Sequence, residues 1–200
     1  MFETKASRTK EIRPFEKNSA AVARQMAGEG IVLLENNGVL PISSGTKIAL
    51  YGEGAACTVK GGVGSGEVNA RYNVSIREGL KNAGYAVTTE KWLKEYQELL
   101  AGNHEKYLAA MRKKAGFLSF SVIHDLLSQP FKNPEGMVIT KDYLSAKEDT
   151  CVYVLTRQAG EEMDRKPEKG DFLLTDTEIK NIHVCAAHYA KMILVINIGG

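Results

Sequence analysis

The 200 residues are enough to bury a full core in one domain without metals or disulfides. With 44% hydrophobic and 25% charged residues, the composition is that of a globular protein and excludes a disordered or collagen-like chain. The net charge is +2, and Lys and Arg are scattered, so the basic footprint required for binding nucleic acid is missing.

Three cysteines, Cys57, Cys151 and Cys185, follow no metal-ligand spacing and read as reduced structural thiols. The start of the chain is charged and lacks the apolar stretch of a signal peptide. No apolar run reaches the roughly 18 residues a membrane span requires. These features predict a soluble cytoplasmic protein with no membrane partner.

In chain order, residues 1–18 form a polar lead-in arm with no periodic pattern, and residues 19–200 form the domain. Ser19 is the expected cap of a first helix, with Ala20, Ala23, Met26 and Ala27 on one face, ending at Gly28 and Gly30. Three continuously apolar segments, Lys47 to Tyr51, Thr150 to Leu155 and Met192 to Ile198, read as buried parallel strands. Helical patterns lie between them, over Val74 to Asn82, Lys91 to Lys114 and Ser119 to Leu127. Another spans Asp176 to Tyr189, where Thr175 and Glu178 fit a capping box and Ile179, Ile182, Ala186 and Tyr189 share one side. The alternation predicts an α/β fold with a mostly parallel sheet sandwiched between helices.

Open parallel sheets bind ligands at the carboxyl ends of their strands. Two loops leave strands there, Gly52 to Glu67 and Arg157 to Asp171. The first carries Lys60-Gly61-Gly62-Val63-Gly64-Ser65-Gly66, in which the glycines let backbone pass close to a ligand. Its glycines do not follow the strand directly, as a dinucleotide fingerprint requires, and no Gly-Lys-Ser/Thr ending makes it a P-loop. A turn needed only for packing is the plain alternative. The second loop carries Glu161, Glu162, Asp164 and Arg165, with Gly170-Asp171 behind them: acids whose protonation can be tuned, beside a cation. On composition alone, a solvated charged loop is the simpler account.

Together these motifs resemble the second, flavodoxin-like domain of family 3 glycoside hydrolases. The matching residues are Gly30-Ile31-Val32-Leu33-Leu34-Glu35-Asn36, Leu40-Pro41, Lys47 to Gly52, Lys60 to Val68, Gly160-Glu161-Glu162-Met163-Asp164-Arg165, and the strand Ile193 to Gly200. The resemblance implies retaining hydrolysis of a β-glucoside or oligosaccharide by two carboxylates about 5 to 5.5 Å apart. It implies further that the nucleophile lies on a separate barrel domain. By position Glu161 matches the acid/base, with Asp164 and Arg165 in support and Lys60, Gly61, Gly62, Gly64, Ser65 and Gly66 lining the sugar site. Glu162, where many relatives have glycine, is the alternative acid/base.

The single tryptophan, Trp92, is not preceded by Ser-Asp, and no Lys-His-Phe motif occurs, so the barrel's motifs are absent. The chain alone is therefore expected to be inactive. Its start resembles bacterial members in which the sandwich precedes the barrel, and its end just after a strand suggests a fragment of a longer enzyme. His104, His124, His183 and His188 complete no ligand set, so no metal and no cofactor are expected. Tyr51, Tyr72 and Tyr85 read as core aromatics, and a homo-oligomer is compatible with the sequence. Two other functions remain open on the residues: a non-catalytic carbohydrate-binding or scaffolding module, and a nucleotide-binding domain.

Overall fold

The computed structural model describes residues 11–62, 72–115, 136–158 and 164–199. The chain divides between Leu40 and Pro41 into two units. In the first, helix α1 spans Pro14–Gly30, beginning before the expected cap at Ser19. Pro14 presets the first helical φ, and the Glu16 carboxylate accepts from the Arg13 backbone N–H at 2.8 Å, so the arm supplies its own helix start. Beyond it, Asn36 closes a turn by accepting from the backbone of Gly38 and Leu40, each at 3.1 Å.

The second unit contains the sheet. Its elements are β1 (Lys47–Tyr51), α2 (Glu53–Ala56), α3 (Ile76–Asn82), β2 (Ala86–Val87), α4 (Glu90–Ala115), a 3-10 turn (Lys141–Tyr143), β3 (Thr150–Gln158), α5 (Asp176–His188) and β4 (Lys191–Gly199). The described strands form one parallel sheet in the order β2-β1-β3-β4, sandwiched between helices. This is the expected fold class. The three apolar segments are its three long strands, and β3 runs on to Gln158, past the last apolar residue. The helical pattern at Ser119 to Leu127, like the whole of Phe117 to Phe131, lies outside the described residues.

Beyond the two residues of β2, the Thr88 N–H still donates to the Ile48 carbonyl of β1 at 2.9 Å, and a side chain then takes over the ladder. The Thr89 hydroxyl accepts from the Leu50 N–H at 2.8 Å and donates to its carbonyl at 2.7 Å. Strand β3 is buried from Thr150 to Thr156, as a strand covered on both faces must be. On one face Tyr51 meets Trp92 of α4 edge-on, with ring centroids 5.5 Å apart, and its hydroxyl hydrogen-bonds to that of Tyr189 at 2.7 Å. Burial, with the neighbouring Tyr189 hydroxyl, pushes the Tyr51 phenol well above its ordinary range. Val154 points to the opposite face, where Gly54 of α2 lies against it.

Three sequence expectations need correcting. The apolar run of β4 is expected to be buried, yet Leu194, Ile196 and Ile198 are exposed, since among the described strands β4 has a neighbour on one side only. Of the side expected to be shared on α5, Ile182 and Tyr189 pack on the core, while Ile179 is 39% exposed and Ala186 is also exposed; the buried residues of the helix itself are Glu178, Asn181 and Cys185. Polar residues are buried there because each has partners. Asn181 accepts from the Ile139 N–H at 2.8 Å and donates to the Met137 carbonyl at 3.0 Å, and Glu178 pairs with Arg157. Of the three tyrosines, Tyr51 is core, Tyr85 packs at its margin, and Tyr72 is 61% exposed. No helix of the described residues is long and apolar enough to cross a membrane.

Candidate functional site

The site is built on two loops that leave the carboxyl ends of β1 and β3, adjacent strands in the sheet. The first departs through Gly52, whose φ is +95° and whose missing side chain is essential: a Cβ there would lie 2.2 Å from the Val154 carbonyl oxygen. A Cβ on Gly54 would likewise meet a Val154 methyl at 2.5 Å. These two glycines therefore serve close packing of α2 on β3.

The chain then runs outward along a series of side-chain anchors. The Thr58 hydroxyl donates to the Gly54 carbonyl at 2.8 Å and accepts from the Ile76 N–H at 3.0 Å. Asn197, near the end of β4, accepts from the Val59 N–H at 2.9 Å and donates to the Val59 carbonyl at 3.0 Å. Lys60 reaches Asn73 at 2.9 Å. The Gln158 side-chain amide donates to the Gly61 carbonyl at 3.1 Å. The first part of the glycine loop is thus tied at Gly61 to Gln158, the last residue of β3, just before the acidic loop begins.

The second loop is described again from Asp164, which is exposed. Arg165 pairs with Asp171 at 2.8 Å rather than with its neighbour Asp164, and the other Asp171 oxygen accepts from the Lys166 N–H at 2.8 Å. The Arg165 hydrogen bond, supported by that of Lys166, holds the Asp171 carboxyl below its ordinary range. The loop returns to Arg157 of β3, which forms a two-pronged ion pair with Glu178 of α5, at 2.7 and 2.8 Å. Of the residues expected to form the site, Lys60, Gly61, Gly62, Asp164 and Arg165 are placed at this edge. Gly64, Ser65, Gly66, Glu161 and Glu162 lie outside the described residues.

Sequence reasoning missed Gln158, Asn197, and the role of Arg157 and Glu178. The capping-box pattern singled out Glu178 and the loop boundary singled out Arg157, but nothing local indicated that they pair.

Residues 31–200 match the model of the glycosyl hydrolase family 3 C-terminal domain. The chain is 30% identical to beta-glucosidase A of Butyrivibrio fibrisolvens and 29% identical to a beta-glucosidase of Ruminococcus albus, over 88% of its length in each case. It spans 22% and 17% of those proteins. Among solved structures, beta-glucosidase 3B from Thermotoga neapolitana in complex with alpha-D-glucose superposes with a TM-score of 0.63 and 34% identity, covering 94% of this chain and 25% of that one. The chain belongs to the glycosyl hydrolase family 3 C-terminal domain family.

Proposed function

We propose that this chain supplies the acid/base half of a retaining β-glucosidase site, with Glu161 as the proton donor and acceptor. Its substrate would be a β-glucoside or oligosaccharide, and its partner a barrel domain bearing the nucleophilic carboxylate. In the first step Glu161 gives its proton to the glycosidic oxygen as the bond to the anomeric carbon breaks, and the nucleophile bonds to that carbon. In the second, Glu161 takes a proton from the water that releases the sugar. A chain carrying one of two cooperating carboxylates is expected to turn over little substrate alone.

The observation that carries this reading is the hydrogen bond from Gln158 to Gly61. It brings the strand that leads into Gly160-Glu161 against the glycine loop, at the sheet edge where α/β domains bind ligands. Membership of the family supports the same reading, and the glucose complex of the Thermotoga relative supports the substrate class.

The test is Glu161→Ala in the protein carrying both this chain and its barrel. Glucosides with poor leaving groups should lose at least about 100-fold in kcat/KM, because only they need the proton, while activated aryl glucosides lose far less in glycosylation. Added azide should restore deglycosylation. Equal loss across leaving groups would argue against the role, and no loss at all would favour a non-catalytic carbohydrate-binding module. If Glu162→Ala behaves as expected of Glu161→Ala, the neighbouring carboxylate is the acid/base.

A further inference from the structure

Arg157 stands where the acidic loop leaves β3, and its side chain grips the returning end of that loop. A guanidinium has five N–H donors, and all five have acceptors here. Nε donates to the Asp171 carbonyl at 2.6 Å. Nη1 donates to the Thr156 carbonyl and to Glu178 Oε1, both at 2.7 Å. Nη2 donates to Glu178 Oε2 at 2.8 Å and to the Leu173 carbonyl at 3.3 Å. The side chains of Arg157 and Glu178 are each only 11% exposed, so the pair is largely shielded from water.

Both ends of this clamp rest on rigid elements. The Arg157 backbone lies in β3, in register with Ile198 of β4. Glu178 is fixed by the capping box of α5, accepting from the Thr175 N–H at 2.8 Å while its own N–H donates to the Thr175 hydroxyl at 3.0 Å. Through Asp171 the clamp reaches further into the loop, because that residue's carboxylate holds Arg165 and the Lys166 N–H. The stretch containing Glu161 is thus flanked by Arg157 on one side and, on the other, by residues tied back to Arg157.

We propose that Arg157 is a positioning residue for the acid/base step, setting where the acidic loop presents its carboxylate; this rests on the reading of Glu161 given above. A fork of five donors does what a point-charge ammonium cannot: it holds two backbone carbonyls of the returning loop and a carboxylate in fixed relative directions. A proton donor displaced by about 1 Å loses on the order of 100-fold in rate.

The test is Arg157→Lys in the protein that carries this chain and its barrel, beside Glu161→Ala in the same background. Arg157→Lys is expected to lower kcat by about 10- to 100-fold for glucosides with poor leaving groups. It should change activated aryl glucosides by less than about 3-fold and shift the basic limb of the kcat/KM pH profile. A folded Arg157→Lys enzyme that loses both substrate classes equally, or neither, or keeps its pH profile, overturns the proposal. If Arg157→Lys fails to fold, Glu178→Gln is read by the same criteria, since it leaves the guanidinium its three backbone carbonyls. Selective loss in Glu161→Ala without selective loss in the clamp variant overturns the proposal and leaves the acid/base reading standing. Absence of selective loss in Glu161→Ala removes both.

Discussion

Asn197 hydrogen-bonds both backbone groups of Val59, accepting at 2.9 Å and donating at 3.0 Å, across 138 positions of chain. One amide side chain therefore ties the root of the glycine loop to the last described strand. Together with Gln158 on Gly61, it sets the approach of the glycine loop to the acidic loop.

Asn197→Ala leaves both partly buried backbone groups of Val59 without that partner, and urea denaturation should show a loss of about 1–3 kcal/mol. Asn197→Asp is the finer probe. It keeps an acceptor for the Val59 N–H but faces the Val59 carbonyl with an oxygen, so it should also destabilise, and less so at acid pH, where the carboxyl can donate. A variant as stable as the parent at neutral pH would show that solvent readily replaces the contact.

Gly52→Ala should be among the costliest single-methyl changes in this chain. The position has φ +95°, and the new Cβ would sit 2.2 Å from backbone that cannot swing away. Strain of this kind costs about 1–3 kcal/mol, and the forced shift of β3 a similar amount, so about 2–5 kcal/mol is expected in denaturant unfolding. Gly84→Ala shares a positive φ of +87° but meets nothing within 4 Å, and should cost clearly less. Comparing the two separates steric contact from backbone conformation.

Acid should weaken the second loop before it affects the apolar core. The Arg165 guanidinium and the Lys166 N–H hold the folded Asp171 carboxyl below its ordinary value. Its contribution to stability is therefore fully present above the usual aspartate range near pH 4, and is lost as the pH falls through the lowered folded value. Unfolding measured from pH 6 downward should show a steeper acid loss in the parent than in Asp171→Asn, with the two curves converging at the lowest pH. Parallel curves would mean that Asp171 titrates alike folded and unfolded.

Much of the fold could be read locally. Strands β1 and β3 are continuous apolar runs, which buried parallel strands need because both faces are covered, whereas the equally apolar run of β4 leaves Leu194, Ile196 and Ile198 exposed. Ser75 and Thr175 cap their helices through Glu78 and Glu178, a pattern confined to neighbouring residues. Strand β2 could not be read, since two residues carry no periodicity and the ladder is completed by Thr89. The inner face of α5 was also beyond sequence reasoning. An apolar pattern points to Ile179 and Ala186, whereas the buried Glu178 and Asn181 are compatible with the core only through partners far along the chain.

At the site, the residue types and the two loops that carry them were legible, because glycine-rich and acidic stretches following apolar strands are features of adjacent residues. Which groups meet was not. Gln158 and Gly61 lie 97 positions apart, and Arg157 and Glu178 lie 21 apart. Each pairing exists because parallel crossovers bring β3 beside β1 and lay α5 against β3. Strand and helix character follows from short-range sterics and hydrophobic spacing, which any few residues express. The meeting of two side chains depends on the order of strands in the sheet, and that is settled only when the whole core closes.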